Sequence, residues 1–324
     1  LTKGKIANPN LDDVLDRLNE LEKRYLRKDW LNFSGMPHKV RMIFHPETQK
    51  HLMYLKRELD WKNNDIDAFL SMVLMGAMHG QSSGFLSLSM PNTFSMGWQY
   101  IKKYIEENNL KRPNRDAFTI IRNRCKRYLK LGQLPGSGIA IHGDVRDLIE
   151  SNQINTGTVK MIFSSPPYLK VIKYGLYNWI RLWWLIGDHK TIDSKLDDEH
   201  SIKPYLEFMQ ETLETTLPLL DQDSGLACWV IGDVQDLNLA KLVWDEVGSK
   251  IEVKDSNGNT LRYRILGIIS DDIRNEEKVT RIWASNSDKS GKATLTDRIL
   301  IICPSNSKPP IIAENDEIIW QPLQ

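Results

Sequence analysis

The stretch VKMIFSSPPY, Val159 to Tyr168, decides how the chain is read. Val159–Ser164 is a short run apolar at Val159, Met161, Ile162 and Phe163, the pattern of a parallel strand covered on both faces. It stops at Ser165-Pro166-Pro167-Tyr168, where two prolines fix φ and remove two N–H donors, so the segment is stiff. Outward from it, short apolar runs alternate with helical patterns. Ile139–His142 predicts a strand ending in Gly143-Asp144, and Leu226–Ile231 a strand ending in Gly232-Asp233. Tyr205–Leu220 and Leu237–Val247 predict helices, and Tyr263–Ser270 and Arg298–Cys303 two later strands. Such alternation predicts an α/β fold with a parallel sheet that binds ligands at the carboxyl ends of its strands. Asp144, Ser165–Tyr168 and Asp233 would then share one edge. The polar stretch Asp271–Leu295 is too short for a crossover helix plus its loops, so the last two strands are expected to form an antiparallel hairpin.

Before this region the pattern is helical. Residues 9–28 place Leu11, Val14, Leu18, Leu21 and Leu26 near helical period, and Pro46–Leu59 and Asn64–His79 predict further helices. Residues 97–131 predict two more, broken near Pro113. Gly84–Trp98 (GFLSLSMPNTFSMGW) is poor in charge and is expected to pack as a loop. The Gly/Pro/Ser-rich connector Leu131–Gly138 marks a boundary. The expected organisation is a helical region over 1–131 and a catalytic-type domain over 132–324.

With 41% hydrophobic and 26% charged residues, the chain is ordinary for a globular protein, and a net charge of +1 favours no partner. The charge is uneven. Ile101–Lys130 holds ten Lys or Arg against three acids, a local +7, which suits a phosphate backbone or a solvated helix face. Arg122, Arg124, Lys126 and Arg127 are the candidate phosphate contacts. Cys125, Cys228 and Cys303 show no metal spacing and fit a reducing cytoplasmic setting better than a disulfide framework. The seven histidines form no ligand cluster, so no metal is expected. No apolar run is long enough for a membrane span, and the N-terminus lacks a signal-peptide pattern. The start at Leu1 rather than Met suggests a processed product or a fragment.

Ser165–Tyr168 suits one chemistry closely. The lone pair of a base amino group is delocalised into the ring, so methylating it requires acceptors that draw the nitrogen toward tetrahedral geometry. The Ser165 oxygen and the Pro166 carbonyl are two such acceptors, held in place by the prolines. Tyr168 offers a flat face to an extruded base, with stacking worth about 1–3 kcal/mol, on the scale of what unstacking costs. The competing structural role is a Pro-Pro turn with a packed Tyr.

The stretch resembles the (D/N/S)PP(Y/F) motif of DNA amino-methyltransferases, and Ser in first position resembles the N4-cytosine group. Ile141–Glu150 (IHGDVRDLIE) and Leu169–Leu185 (LKVIKYGLYNWIRLWWL) continue the likeness, as do Gly225–Val234 and Gly291–Ile302, so that it covers about residues 139–303. The resemblance implies a Rossmann-like methyltransferase sheet and S-adenosylmethionine as cofactor. It further implies double-stranded DNA as substrate, base flipping, and often a restriction–modification setting. It gives Ser165, Pro166, Pro167 and Tyr168 the catalytic role and makes Asp144, Ser164 and Asp233 the cofactor-binding candidates. For Asp233 a helix-cap or turn role is equally open.

One departure matters. The family's Asp-Pro-Phe-x-Gly-x-Gly fingerprint, which cradles the cofactor, is absent: the glycines of Leu134–Gly138 precede a predicted strand rather than follow one. The sheet therefore lacks its first two strands, and a second polypeptide or a missing N-terminal segment is expected to supply the loop. An N6-adenine methyltransferase and a non-catalytic DNA-recognition subunit with a decayed cofactor site are the alternatives. RNA or protein methylation is less favoured because Asn-Pro-Pro-Tyr is its more usual motif. A C5-cytosine enzyme is disfavoured because no cysteine follows a proline, and a Rossmann dehydrogenase because GxGxxG is missing.

Overall fold

The computed structural model describes residues 1–26, 36–80, 82–90, 98–149, 151, 153–169, 175, 178–187, 201–234, 237–254, 258–272, 296–308 and 320–321. The fold is mixed α/β and divides into two compact units. One comprises Leu1–Ile141 with Tyr174–Lys195, the other His142–Lys173 with Leu196–Gln324. The division thus falls later than the connector at Leu131–Gly138, and Tyr174–Lys195 joins the helical unit rather than the sheet.

The helical unit contains α1 (Thr2–Ile6), α2 (Leu11–Leu26), α3 (His38–Arg41), α4 (Pro46–Glu58) and α5 (Asp65–Ala77). It also contains α6 (Trp98–Glu107), α7 (Ala117–Tyr128) and α8 (Trp179–Leu185). Local chemistry sets the helix starts. Pro46 stands in the first turn of α4 after His45, Asn64 accepts from the Asp67 N–H at α5, and Asp116 accepts from the Thr119 N–H at α7. Val14, Leu18 and Leu21 of α2 are fully buried with Phe44, Leu52, Leu55, Leu70 and Phe118. Trp179, Trp183 and Trp184 of α8 fill the same core, and the Lys56 ammonium donates to the Trp183 and Trp184 carbonyls near that helix's end. The described part of Gly84–Trp98 packs as expected, with Leu86, Leu88 and Met90 in this core; residues 91–97 lie outside the described residues. α1 lies close against α5 because Gly4 has no side chain. A Cβ there would sit 2.5 Å from the Ala68 oxygen and 2.6 Å from the Met72 Cβ. Between α2 and α5, buried Asp67 accepts from Arg17 Nε at 2.9 Å and Nη2 at 3.0 Å.

The second unit is built on a sheet of six described strands: β1 (Met161–Ser164), β2 (Leu226–Gly232), β3 (Glu252–Lys254), β4 (Thr260–Asp272), β5 (Thr296–Pro304) and β6 (Trp320–Gln321). The order is β1-β2-β5-β4-β3, with β6 also paired to β4. β1 and β2 run parallel with Met161 opposite Leu226 and Ser164 opposite Trp229, joined by a crossover that includes α9 (Ile202–Thr216). β4 and β5 pair antiparallel, as expected of the last two strands; the connection over residues 273–295 lies outside the described residues. Alternation along β2 and β5 sends Ala227, Trp229, Ile231, Leu300 and Ile302 to one face. There they meet Tyr205, Met209 and Leu213 of α9, and Leu239, Ala240 and Val243 of α10 (Leu239–Glu246). The opposite face gathers Leu226, Cys228, Ile301 and Cys303 in a cluster with no helical residue among those described.

Three expectations need correction. The sheet is mixed rather than parallel: among the described strands only β1 and β2 run parallel, because β5 enters antiparallel between β2 and β4. Ile139–His142 is not a strand: the segment is irregular and Ile139 is 64% exposed, because no described strand lies beside it to bond its backbone. Val159–Ser164 is shorter as a strand and is not covered on both faces. Among the described strands β1 lies at the end of the sheet, its Met161 and Phe163 59% and 66% exposed, while Ile162 packs toward the helices. Among the described residues no helix is long and apolar enough to cross a membrane.

Candidate functional site

The segment Ser165–Tyr168 leaves the sheet at the carboxyl end of β1, directly beside β2. It is anchored on both sides of its polar face: Pro166 is buried, and Leu169 packs into the core beneath the sheet. Ser165 is exposed, and Pro167 and Tyr168 are half-buried. The Ser165 hydroxyl donates to the Val230 carbonyl of β2 at 3.4 Å, a long bond that points the proton at the sheet and leaves the oxygen lone pairs for another donor. Among the described residues nothing donates to the Pro166 carbonyl. Two acceptors on adjacent residues therefore stand at one strand end, on a backbone that the prolines hold rigid.

The cofactor candidates are placed otherwise. Ser164 ends β1 opposite Trp229 and keeps its position beside the motif. Asp233, just past β2, shares the sheet edge with Ser165 as expected. Yet it is buried, and both of its carboxylate oxygens accept from Arg298 Nε, at 2.8 and 3.0 Å. Its N–H also donates to the Thr296 carbonyl, and Arg298 continues to the Ser270 hydroxyl at 2.7 Å. Asp233 thus ties the end of β2 to β5.

Asp144 is not at a strand end, which corrects the expectation of three strand-end motifs on one edge. It caps a 3₁₀ turn, Val145–Asp147, that packs on α9. Arg146 pairs with it through Nη2 at 2.7 Å and Nε at 2.9 Å, and that guanidinium holds its carboxyl down at about 2. Arg146 also reaches Glu211 of α9 at 3.3 Å. The residues missed by reading the chain are these two arginine partners. Arg146, two positions after Asp144, was the readable one; Arg298 requires the register of β5.

No protein-family model and no curated protein sequence matches this chain.

In the helical unit, the predicted basic cluster separates into two kinds of residue. Arg124 is buried, donates to the Gly84 and Gly76 carbonyls, and lies over the Phe85 ring. Arg122 pairs with Glu22 at 2.5 Å and donates to Asn19. Arg115 donates to the carbonyls of Ser82, Phe85 and Ser87. These guanidinium groups are engaged within the unit: Arg124 through Nε, Nη1 and Nη2, and Arg122 through Nη2 alone. Lys126 and Arg127 are exposed, with Arg127 over the Tyr128 ring. Cys125, Cys228 and Cys303 are all buried free thiols, and burial pushes Cys125 up to about 12.

Proposed function

We propose that this chain carries the base-side half of an S-adenosylmethionine-dependent DNA amino-methyltransferase, acting on the exocyclic N4 of a cytosine turned out of the duplex. The observation that carries the reading is the placement of Ser165-Pro166-Pro167-Tyr168 at the carboxyl end of β1, with the Ser165 proton directed at Val230 and the Pro166 carbonyl beside it. Two oxygens accepting from one NH₂ hold its hydrogens and free the nitrogen lone pair from ring conjugation. Positioned acceptors of this kind act on the developing transition state rather than on the bound ground state. Tyr168 supplies a ring for the extruded base.

S-adenosylmethionine would supply the methyl group, but the described residues do not fit it. Asp144 and Asp233 are occupied by arginines, and no glycine loop follows a described strand at this edge. The proposal therefore assigns the cofactor loop, with its strand, to a segment or second polypeptide outside the described residues. Among the described strands β1 has a neighbour on one side only, and this with its exposed Met161 and Phe163 supports the assignment, because a parallel strand is normally covered and flanked. A cytoplasmic location goes with the same reading. The occupied Asp144 and Asp233 favour a second reading, a DNA-recognition subunit that performs no transfer.

The test is nucleoside mass spectrometry of DNA from cells expressing the protein with its native flanking coding sequence and neighbouring genes, as wild type and as Ser165→Ala. N4-methylcytosine is expected with the wild type and not with the variant. N6-methyladenine in its place would move the assignment to the adenine enzymes. No methylated base in either case would leave the recognition subunit.

A further inference from the structure

The helical unit holds an open cleft of about 670 Å³ between the α3–α4 turn and α6, and its charge is one-sided. Arg41, Lys102 and Arg112 line it with His38, against the single carboxylate of Glu106. Lys102 and Glu106 are a solvent-exposed pair one helical turn apart, 3.8 Å between charged atoms, so the uncancelled positive charge of the cleft comes from Arg41 and Arg112.

The cleft is also built. The turn after α3 is gripped from two sides. Arg112 Nη1 donates to the Arg41 carbonyl at 2.9 Å and the Phe44 carbonyl at 3.4 Å. The buried amide of Gln49 donates to the same two carbonyls at 3.1 and 2.8 Å. This fixes the backbone that carries Arg41, while the Arg41 guanidinium has no hydrogen bond or ion pair among the described residues. Arg112 spends one nitrogen on the clamp and keeps Nε and Nη2 for another acceptor. Other arginines of the basic stretch, Arg115 and Arg124, are consumed by the unit's own carbonyls, so the cations of this cleft need a different explanation.

We propose that the cleft binds the phosphodiester backbone of a nucleic-acid duplex. Guanidinium forks match phosphate oxygens in geometry, and the pinned backbone leaves only the Arg41 side chain, not its loop, to be ordered on binding. An open, cationic cleft with no enclosing wall among the described residues suits a polyanion passing through it rather than a small anion held inside. The proposal rests on the nucleic-acid reading of the chain and locates where the helical unit takes the backbone, separate from Lys126 and Arg127.

The test uses the full chain, with a fluorescein-labelled 20-base-pair duplex of random sequence and, separately, inorganic pyrophosphate as probes. Arg41→Gln with Lys102→Gln is compared with wild type, and Lys250→Gln, an exposed lysine of the sheet unit, is the control. Both cleft side chains are exposed and the clamp uses the Arg41 carbonyl, so thermal melts of the variant and wild type should coincide. The expected result is a tenfold or greater loss of duplex affinity at 0.1 M salt, a fall of about two in the salt slope, and no change for the control. Equal duplex binding by wild type and double variant overturns the cleft proposal while leaving the DNA reading intact. Pyrophosphate binding that the double variant loses, with duplex affinity unchanged, overturns it in favour of a small anion. No duplex binding by the wild type overturns the DNA reading and the cleft proposal together.

Discussion

The helical unit and the sheet unit differ in how completely each closes over its own apolar surface. In the first, side chains from α2, α4, α5, α7 and α8 meet in one core, and even arginines of a basic stretch turn inward to satisfy loop carbonyls. In the second, one sheet face is covered by α9 and α10, but β1 ends the sheet with two large apolar side chains in solvent. Among the described residues, the first unit closes over its apolar side chains, whereas the second leaves Met161 and Phe163 of its outermost strand exposed beside the Ser165–Tyr168 segment.

The contrast predicts unequal responses to similar substitutions. Phe44→Ala removes a fully buried ring and should cost about 4 kcal/mol of stability by chemical denaturation. A cost under about 1 kcal/mol would show that the helical core is loosely packed. Ser165→Ala should leave the denaturation profile unchanged, since Ser165 is exposed and makes one long hydrogen bond. On the proposed methyltransferase function it should nonetheless lower methyl transfer on the order of 100-fold or more. Turnover within threefold of wild type would remove Ser165 from the chemistry.

The helical unit should also carry a pH signature. Burial holds His79 neutral, pushing it down to about 3, with its Nδ1 on the Ser87 hydroxyl. The unfolded chain binds a proton near the ordinary 6.5 that the folded unit refuses, so stability present above pH 6.5 is lost as pH falls toward 3. Between pH 6.5 and 5 the loss should be about 1–2 kcal/mol, read from urea midpoints. A flat profile over that window would mean that His79 protonates in the folded unit.

The smallest effect should be at the sheet edge. Phe163→Thr keeps a strand-forming residue and removes a ring that is mostly in water, so the isolated chain should lose no more than about 0.5 kcal/mol. A loss comparable to Phe44→Ala would show that Phe163 is already covered and the edge closed.

The elements of both units were largely readable in the sequence, the contrast between them less so, and the reasons are physical. The long amphipathic helices, the strand before Ser165 and the strands β4 and β5 are set by periodicity and turn chemistry, which are local. Ile139–His142 has the composition of a strand but not the neighbour that makes one, and pairing is not a local property. The charge count over Ile101–Lys130 could not tell an arginine bound to carbonyls from one in water. Arg124 was nevertheless decipherable: it falls beside Ile121 and Cys125 on the buried face of α7, where a guanidinium must find acceptors. The exposure of Met161 and Phe163 was not legible, because it depends on what lies beyond β1.

The central claim is that the base-side residues are here and the cofactor loop is not. Equilibrium titration of the isolated chain with S-adenosylmethionine tests it most directly. The account predicts no saturable binding below about 1 mM, weaker than about 4 kcal/mol. A micromolar dissociation constant for the chain alone would place a complete cofactor pocket within these residues and contradict it.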